Sequence, residues 1–127
     1  MESTVGADER ITRFLIHSGE FKTGTRRVDY SAFMPDGRGE KSVYRTSGLG
    51  DAAIMEIGRR HVQSPQRGIK AEARVLAAAI FEASLTVEPA PRPHPRHANI
   101  RGYRGLRPAD RILARRVADQ ANLVVYG

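Results

Sequence analysis

Four prolines stand at every second position between Pro89 and Pro95, in the segment PAPRPHPR. Proline has no backbone N–H to donate, and its ring clashes with the preceding turn of a helix, so neither a helix nor a central strand can run through this segment. We therefore predict that residues 89–96 form an extended, polyproline-like connector on the surface. The regular elements of the fold must lie before and after it.

The chain has the length of one domain. Its 127 residues match the commonest domain size, and 40% apolar with 28% charged residues is a globular composition. No apolar run approaches the roughly 20 residues that cross a bilayer, and the polar N-terminus MESTVGADER lacks the apolar region of an export signal. We expect a single domain over 1–127, a flexible stretch at 1–9, no membrane partner and, since cysteine is absent, a cytoplasmic location.

A hairpin is predicted from residues 28–34 and 41–46. In RVDYSAFM, Val28 and every second residue after it form one set that alternates with the residues between them, which is the period of a strand. The turn residues of PDGRG follow, and KSVYRT has the character of the returning strand. The earlier segment ITRFLIH, at 11–17, is apolar enough for a buried strand, although its short length also allows a helix.

Two helices are predicted, at 51–62 and 108–122. The first has acids toward its N-terminus and bases toward its C-terminus, as the helix dipole favours. The second begins at Pro108, which suits a first helical turn, and its apolar residues recur at helical spacing. With the strands, these helices indicate an α+β fold with a small antiparallel or mixed sheet.

The alanine-rich run between residues 69 and 88 fits two structures. Its composition favours one helix over 70–85, but its first seven residues alternate strictly between apolar and charged side chains, as in a strand. We predict a strand to Val75, a helical turn at 78–83 and a strand at 85–88, with the single helix as the alternative. A further short strand is predicted at 97–100, after the connector.

The net charge of +7 is concentrated in one block. Between Arg92 and Arg116 there are eight arginines and one acid, Asp110, which gives 8 − 1 = +7, whereas the remaining thirteen bases and thirteen acids cancel. Arginine binds phosphate or carboxylate through two parallel hydrogen bonds and stacks on bases, which lysine does not do. The block therefore indicates an anion site, although a solvated basic surface is the simpler interpretation.

The favoured hypothesis is a cytoplasmic binding module for nucleic-acid phosphates, and an accessory subunit of a larger bacterial assembly is one form that it could take. The proposed contacts come from the arginine block and one tyrosine that would stack on a base: Arg96, His97, Arg101, Tyr103, Arg104, Arg111 and Arg115. Either RNA or DNA could be the nucleic acid of this hypothesis. The alternative is a regulatory or structural subunit whose arginines bind an acidic protein partner.

A second alternative is a small enzyme that acts on phosphodiesters or on NAD. Arginines disfavour the cationic form of a nearby imidazole, so His97 is the candidate general base. VYRTS, which contains Arg45, resembles the first strand motif of ADP-ribosyltransferases, where an arginine holds the pyrophosphate of NAD. His94 and His97 lie on a proline-rich segment rather than on a helix, so neither a metal site nor a cofactor is predicted.

Three blocks of the chain resemble a family of small bacterial proteins of about this length. They are RFLIHSGEF near the start, SVYRTSGLGDAAIMEIGRRHV in the middle and PRHANIRGY near the end. The resemblance covers most of the chain and implies no function, because the family is known only as uncharacterised. The chain departs from it at Gly50, where a capping serine is expected, and at RGYRG, where an apolar Gly-Trp-Pro sequence is expected.

Overall fold

The computed structural model describes residues 4–126, which form a single α+β domain. This confirms the predicted fold class. The strands are β1 (Arg10–Leu15), β2 (Phe21–Lys22), β3 (Arg27–Val28), β4 (Lys41–Arg45), β5 (Ala71–Leu76), β6 (Thr86–Pro89), β7 (His97–Arg101) and β8 (Asn122–Val125). The α-helices are α1 (Asp51–His61), α2 (Ala77–Glu82) and α3 (Arg107–Gln120).

Six strands form one antiparallel sheet in the order β6-β7-β4-β1-β5-β8, and β2 and β3 form a separate hairpin. Successive side chains of a strand point to opposite faces of the sheet. The first face carries Ile11 and Val43 and is covered by α2 and α3, which together bury the larger core. The second face carries Phe14 and Tyr44, which pack against Ile54 of α1.

Both faces of β1 are buried, which explains its sequence. The strand is bonded to β4 on one side and to β5 on the other, so it confirms the strand predicted in ITRFLIH and excludes the helix. Thr12 is fully buried, and its hydroxyl is satisfied by a 2.8 Å hydrogen bond with the hydroxyl of Thr46. On the second face, Gly58 of α1 lets the helix approach closely, because an added Cβ there would lie 2.8 Å from the Phe14 ring.

The predicted hairpin of 28–34 with 41–46 is wrong. Only Arg27–Val28 is extended, and Tyr30–Phe33 forms a 3₁₀ turn that lies against α3. The Asp29 carboxylate accepts a hydrogen bond from the backbone N–H of Ser31 at 3.0 Å, which caps the turn. Ala32 and Phe33 are adjacent and both fully buried, which alternation along a half-buried strand does not allow. β4 is real, but its partners are β1 and β7.

The strand–helix–strand prediction for 69–88 is confirmed. The alternating residues form β5, the helical turn is α2, and the second strand is β6. The helices predicted at 51–62 and 108–122 are also confirmed, as α1 and α3. Strand β8 was not predicted from the sequence. Helix α3 ends at Gln120, and residues 122–125 then pair with β5.

The connector joins β6, an edge strand, to β7. Its first proline, Pro89, is the last residue of β6, and Pro91, Pro93 and Pro95 are exposed, as predicted for a surface segment. The predicted extended, polyproline-like conformation is wrong, because residues 92–96 bend and turn and the N–H of His97 donates back to the carbonyl of His94 at 3.0 Å. Of the segment 1–9, for which we expected flexibility, the first three residues lie outside the described part of the chain. Farther on, Val5 is buried, and residues 7 and 9 accept backbone hydrogen bonds from the start of α2.

One lysine is expected to reduce the stability of the fold. Lys41 is half-buried beside Arg13, and burial, followed by the charge of Arg13, lowers the pKa of its ammonium group to about 8. An unfolded lysine keeps its proton to about pH 10.4. The charged, half-buried lysine therefore lowers the free energy of unfolding by its full amount below pH 8, and this loss disappears as pH rises from about 8 to about 10.4.

We expect Lys41→Met to raise the free energy of unfolding at pH 7 by about 1–2 kcal/mol, after allowance for the partly exposed side chain. This gain in the free energy of unfolding should become smaller as pH rises toward about 9.5. Measurements stop there because tyrosines ionise at higher pH. Urea unfolding at several pH values measures it, with the exposed Lys22→Met as the matched control. A gain that does not depend on pH would contradict this explanation.

Candidate nucleic-acid interface

Helix α3 presents a row of arginines to solvent. Its inner side is fixed by the buried residues Leu113, Ala114, Val117 and Ala118, which pack into the larger core. Because this stripe fixes the rotation of the helix, Arg111 and Arg115 lie on its exposed side. Arg107, in the first turn, and Arg116, which lies beside α2 near Glu82, are also exposed. The four exposed arginines of the helix, Arg107, Arg111, Arg115 and Arg116, are here called the α3 arginine face. The first three are four residues apart, so successive guanidinium groups are spaced by about 6 Å along the axis.

The acids of α3 do not neutralise this face. Asp110 is buried, and its carboxylate accepts hydrogen bonds from the backbone N–H groups of Arg104, at 2.6 Å, and Gly105, at 3.1 Å. Asp119 pairs with Arg27 of β3 at 3.7 Å. Within residues 4–126, no carboxylate lies within ion-pair distance of the four arginines of the face. The charge of the face is therefore available to an external anion.

A groove of about 180 Å³ runs between α3 and the β2–β3 hairpin. The guanidinium carbons of Arg111 and Arg115 both lie 5.4 Å from the ring centroid of Tyr30. This cation–π geometry holds the two side chains over one aromatic ring. The residues that line the groove, here called the hairpin groove, are Lys22, Arg27, Val28, Asp29, Tyr30, Arg115 and Asp119.

The structure brings only some of the predicted contacts together. Arg111 and Arg115 meet over Tyr30, and Arg104 is exposed just before α3. Tyr103 packs against the core and donates a 2.6 Å hydrogen bond to the carbonyl of Phe33. Burial raises the pKa of this phenol well above its usual value. A ring held in this way is poorly placed to stack on a base.

The three remaining predicted residues lie in and beside β7, away from α3. Arg96 donates to the carbonyl oxygens of Arg45, at 3.1 Å, and Ser47, at 3.4 Å. Arg101 pairs with Glu40 at 3.3 Å and with Glu88 at 3.7 Å. Arg96 and Arg101 are five residues apart along an extended chain, or about 16 Å. His97 and Arg101 project from the second face of the sheet, whereas α3 covers the first.

Sequence analysis missed Lys22, Arg27 and Tyr30. The bases outside the arginine block are matched in number by acids. No excess of positive charge therefore pointed to Lys22 and Arg27. Tyr30 was assigned to a strand rather than to the 3₁₀ turn that places it beneath α3. Only the fold joins these residues to the α3 arginine face.

Comparison of the chain with protein-family models, with curated proteins and with solved structures gives no match. Within residues 4–126, no helix is both long and apolar enough to cross a membrane. In the same part of the chain, no three histidine, aspartate or glutamate side chains are grouped as a metal site would require.

Proposed function

We propose that this protein binds the phosphate backbone of nucleic acid through the α3 arginine face and the hairpin groove. The observation that carries the proposal is a set of exposed α3 arginines without ion-pair partners among residues 4–126, next to a groove that holds two further cations, Lys22 and Arg27. Asp29 and Asp119 also line this groove, and Asp119 pairs with Arg27, so most of the available positive charge comes from α3. Arginine forms paired hydrogen bonds with phosphate oxygens, and several guanidinium groups in a row match a repeating anion better than a single one.

The same geometry favours binding that does not depend on base sequence. Guanidinium–phosphate contacts position a protein on nucleic acid but read no bases. Tyr30 is the one aromatic ring among the groove residues, and its face is already covered by Arg111 and Arg115. The proposal therefore assigns most of the affinity to charge. A cytoplasmic location is part of the proposal, and the absence of cysteine fits it.

The test is a fluorescence-anisotropy titration of labelled single-stranded and duplex oligonucleotides at several salt concentrations. If about five cations contact phosphates, the slope of log K against log salt should be near −3.5 for single strands and near −4.5 for duplex DNA. Oligonucleotides of scrambled sequence should bind equally well. No binding at about 50 mM salt would overturn the proposal and favour an acidic protein partner for the same arginines.

A further inference from the structure

A serine and a histidine are in direct contact on the second face of the sheet, away from α3. Ser42 of β4 lies opposite Asn99 of β7 in the strand register, and His97 is the next residue of β7 on that face. The Ser42 hydroxyl oxygen is 2.6 Å from Nε2 of the His97 ring. Both residues are half-buried, so they are neither sealed in the core nor free to move in solvent.

The other ring nitrogen fixes the direction of this hydrogen bond. Nδ1 of His97 is 2.9 Å from the carbonyl oxygen of Ala90, which can only accept a hydrogen bond. The proton of a neutral imidazole is therefore on Nδ1, and the lone pair of Nε2 accepts the Ser42 O–H. A hydroxyl bonded to a base that a third group orients is the arrangement of an activated nucleophile.

The backbone holds the orienting carbonyl in place. The N–H of Ala90 donates to the carbonyl of His97 at 2.9 Å, so the two residues are bonded to each other twice. The Tyr44 and His97 rings pack in a T-shaped arrangement, with 5.3 Å between the ring centroids. The imidazole is thus positioned by strand pairing and by packing, and its geometry does not depend on a mobile loop.

Asn99 supplies a hydrogen-bond donor next to the serine. It is half-buried, and within residues 4–126 its side-chain amide makes no hydrogen bond. Directly opposed residues of antiparallel strands have Cβ atoms about 5 Å apart, which brings this amide within reach of an atom bound at the Ser42 oxygen. An asparagine amide in this position can stabilise a developing oxyanion.

We propose that Ser42, His97 and Asn99 form a nucleophilic site for acyl transfer from an uncharged carboxylic ester. The Ser42 oxygen attacks the carbonyl carbon while its proton passes to Nε2 of His97, and Asn99 donates to the carbonyl oxygen. The C–O bond of the ester then breaks, and the alkoxide leaves with the proton from His97. Water, deprotonated by the same imidazole, hydrolyses the acyl-serine and restores the hydroxyl.

An ester fits this face better than a phosphodiester does. Arg101, which projects from the same face, is paired with Glu40 and Glu88, and the guanidinium of Arg96 is bonded to backbone carbonyls. These arginines are therefore already engaged, and a charged phosphate would meet two carboxylates beside them. The proposal is independent of the nucleic-acid interface, which lies on the other side of the sheet.

The test is covalent labelling with a fluorophosphonate probe, with the modified residue identified by mass spectrometry, together with hydrolysis of p-nitrophenyl acetate. The probe should label Ser42 in the wild-type protein. Ser42→Ala should lose the adduct, and His97→Gln should slow labelling by about 100-fold or more. Ser47→Ala is the matched control, because the Ser47 hydroxyl only accepts a bond from the backbone of Arg10, and it should be labelled at the wild-type rate.

Thermal melting establishes that each variant is folded, and if His97→Gln is not, Asn99→Ala carries the test with an expected loss of about 100-fold. No adduct on Ser42 in the wild-type protein, or labelling of a folded His97→Gln variant at the wild-type rate, would overturn the proposal. Hydrolysis of bis(p-nitrophenyl) phosphate but not of the ester, dependent on the same residues, would also overturn it in favour of a phosphodiester substrate.

Discussion

Replacement of Arg107, Arg111 and Arg115 by glutamine is expected to weaken nucleic-acid binding about 100-fold at low salt. Each guanidinium lost from a phosphate contact removes roughly 1 kcal/mol or more, and about 2.8 kcal/mol corresponds to 100-fold in affinity. The slope of log K against log salt should also become shallower by about two to three, because three fewer counterions are released per complex. Anisotropy titrations of the triple variant at two salt concentrations measure both quantities.

The control removes the same charge from elsewhere. Arg59, Arg60 and Arg67 are exposed, and the first two belong to α1, on the opposite side of the sheet from α3. Their triple replacement by glutamine changes the net charge by the same three units but leaves the α3 arginine face intact. Its affinity should fall by only a few-fold, through the long-range field alone. Equal losses in both triple variants would mean that net charge, and not the arginine face, determines binding.

Glu72→Ala is expected to reduce the free energy of unfolding by about 3–5 kcal/mol, the usual cost of removing one partner from a buried ion pair. The Glu72 side chain is fully buried on β5 and accepts hydrogen bonds from Nε of Arg74, at 2.7 Å, and from the hydroxyl of Tyr126. Burial, and then the bond to Glu72, raise the pKa of that hydroxyl. Removal of the carboxylate leaves the phenol without an acceptor.

Arg74 would then lose its buried partner as well. Its remaining ion pair is with Asp51, at 3.0 Å, whose side chain is largely exposed and screened by solvent. The terminal nitrogen Nη2 of Arg74 is already buried without a hydrogen-bond partner among residues 4–126. Because a domain of this size is stable by only about 5–15 kcal/mol, urea unfolding should detect the loss easily.

Glu56→Ala is the matched control for this prediction. Glu56 also pairs with arginines, Arg59 and Arg60, but the three side chains are exposed on α1. Its removal should leave the free energy of unfolding nearly unchanged, because solvent screens the exposed pairs. Similar losses for Glu56→Ala and Glu72→Ala would show that burial does not set the energy of the Glu72–Arg74 pair.

Most of the fold could be predicted from the sequence because local patterns and tertiary burial agree there. The alternating sequence of β5 forms a strand because its charged side chains, such as Glu72, have partners on the second face of the sheet. The failure at 28–34 arose because a side-chain cap at Asp29 competes with strand geometry, and the period of two does not reveal such a cap. β8 was missed because only Ala121 separates it from α3, and the predicted helix, which ran to residue 122, covered the first residue of the strand.

The candidate interface was predictable only where it follows the helical period. Arg111 and Arg115 share an exposed side of α3 for the same reason that Leu113 and Val117 share the buried side. Charge counted along the chain placed Arg96 and Arg101 in the same site, but Arg96 lies in the turn before β7 and Arg101 at the end of β7, and both have internal partners. Long-range partners such as Glu40 and the carbonyl of Arg45 depend on strand register, which short patterns do not specify.

The central claim is the location of the interface, and an NMR titration of the isotope-labelled protein with a short oligonucleotide tests it most directly. Amide shift changes are expected at 104–116 and at 22–30; they should lose amplitude as salt is raised, and the amides of α1 and β7 should be unaffected. Changes centred on His97 and Ser42 instead, or no changes at low salt, would contradict it.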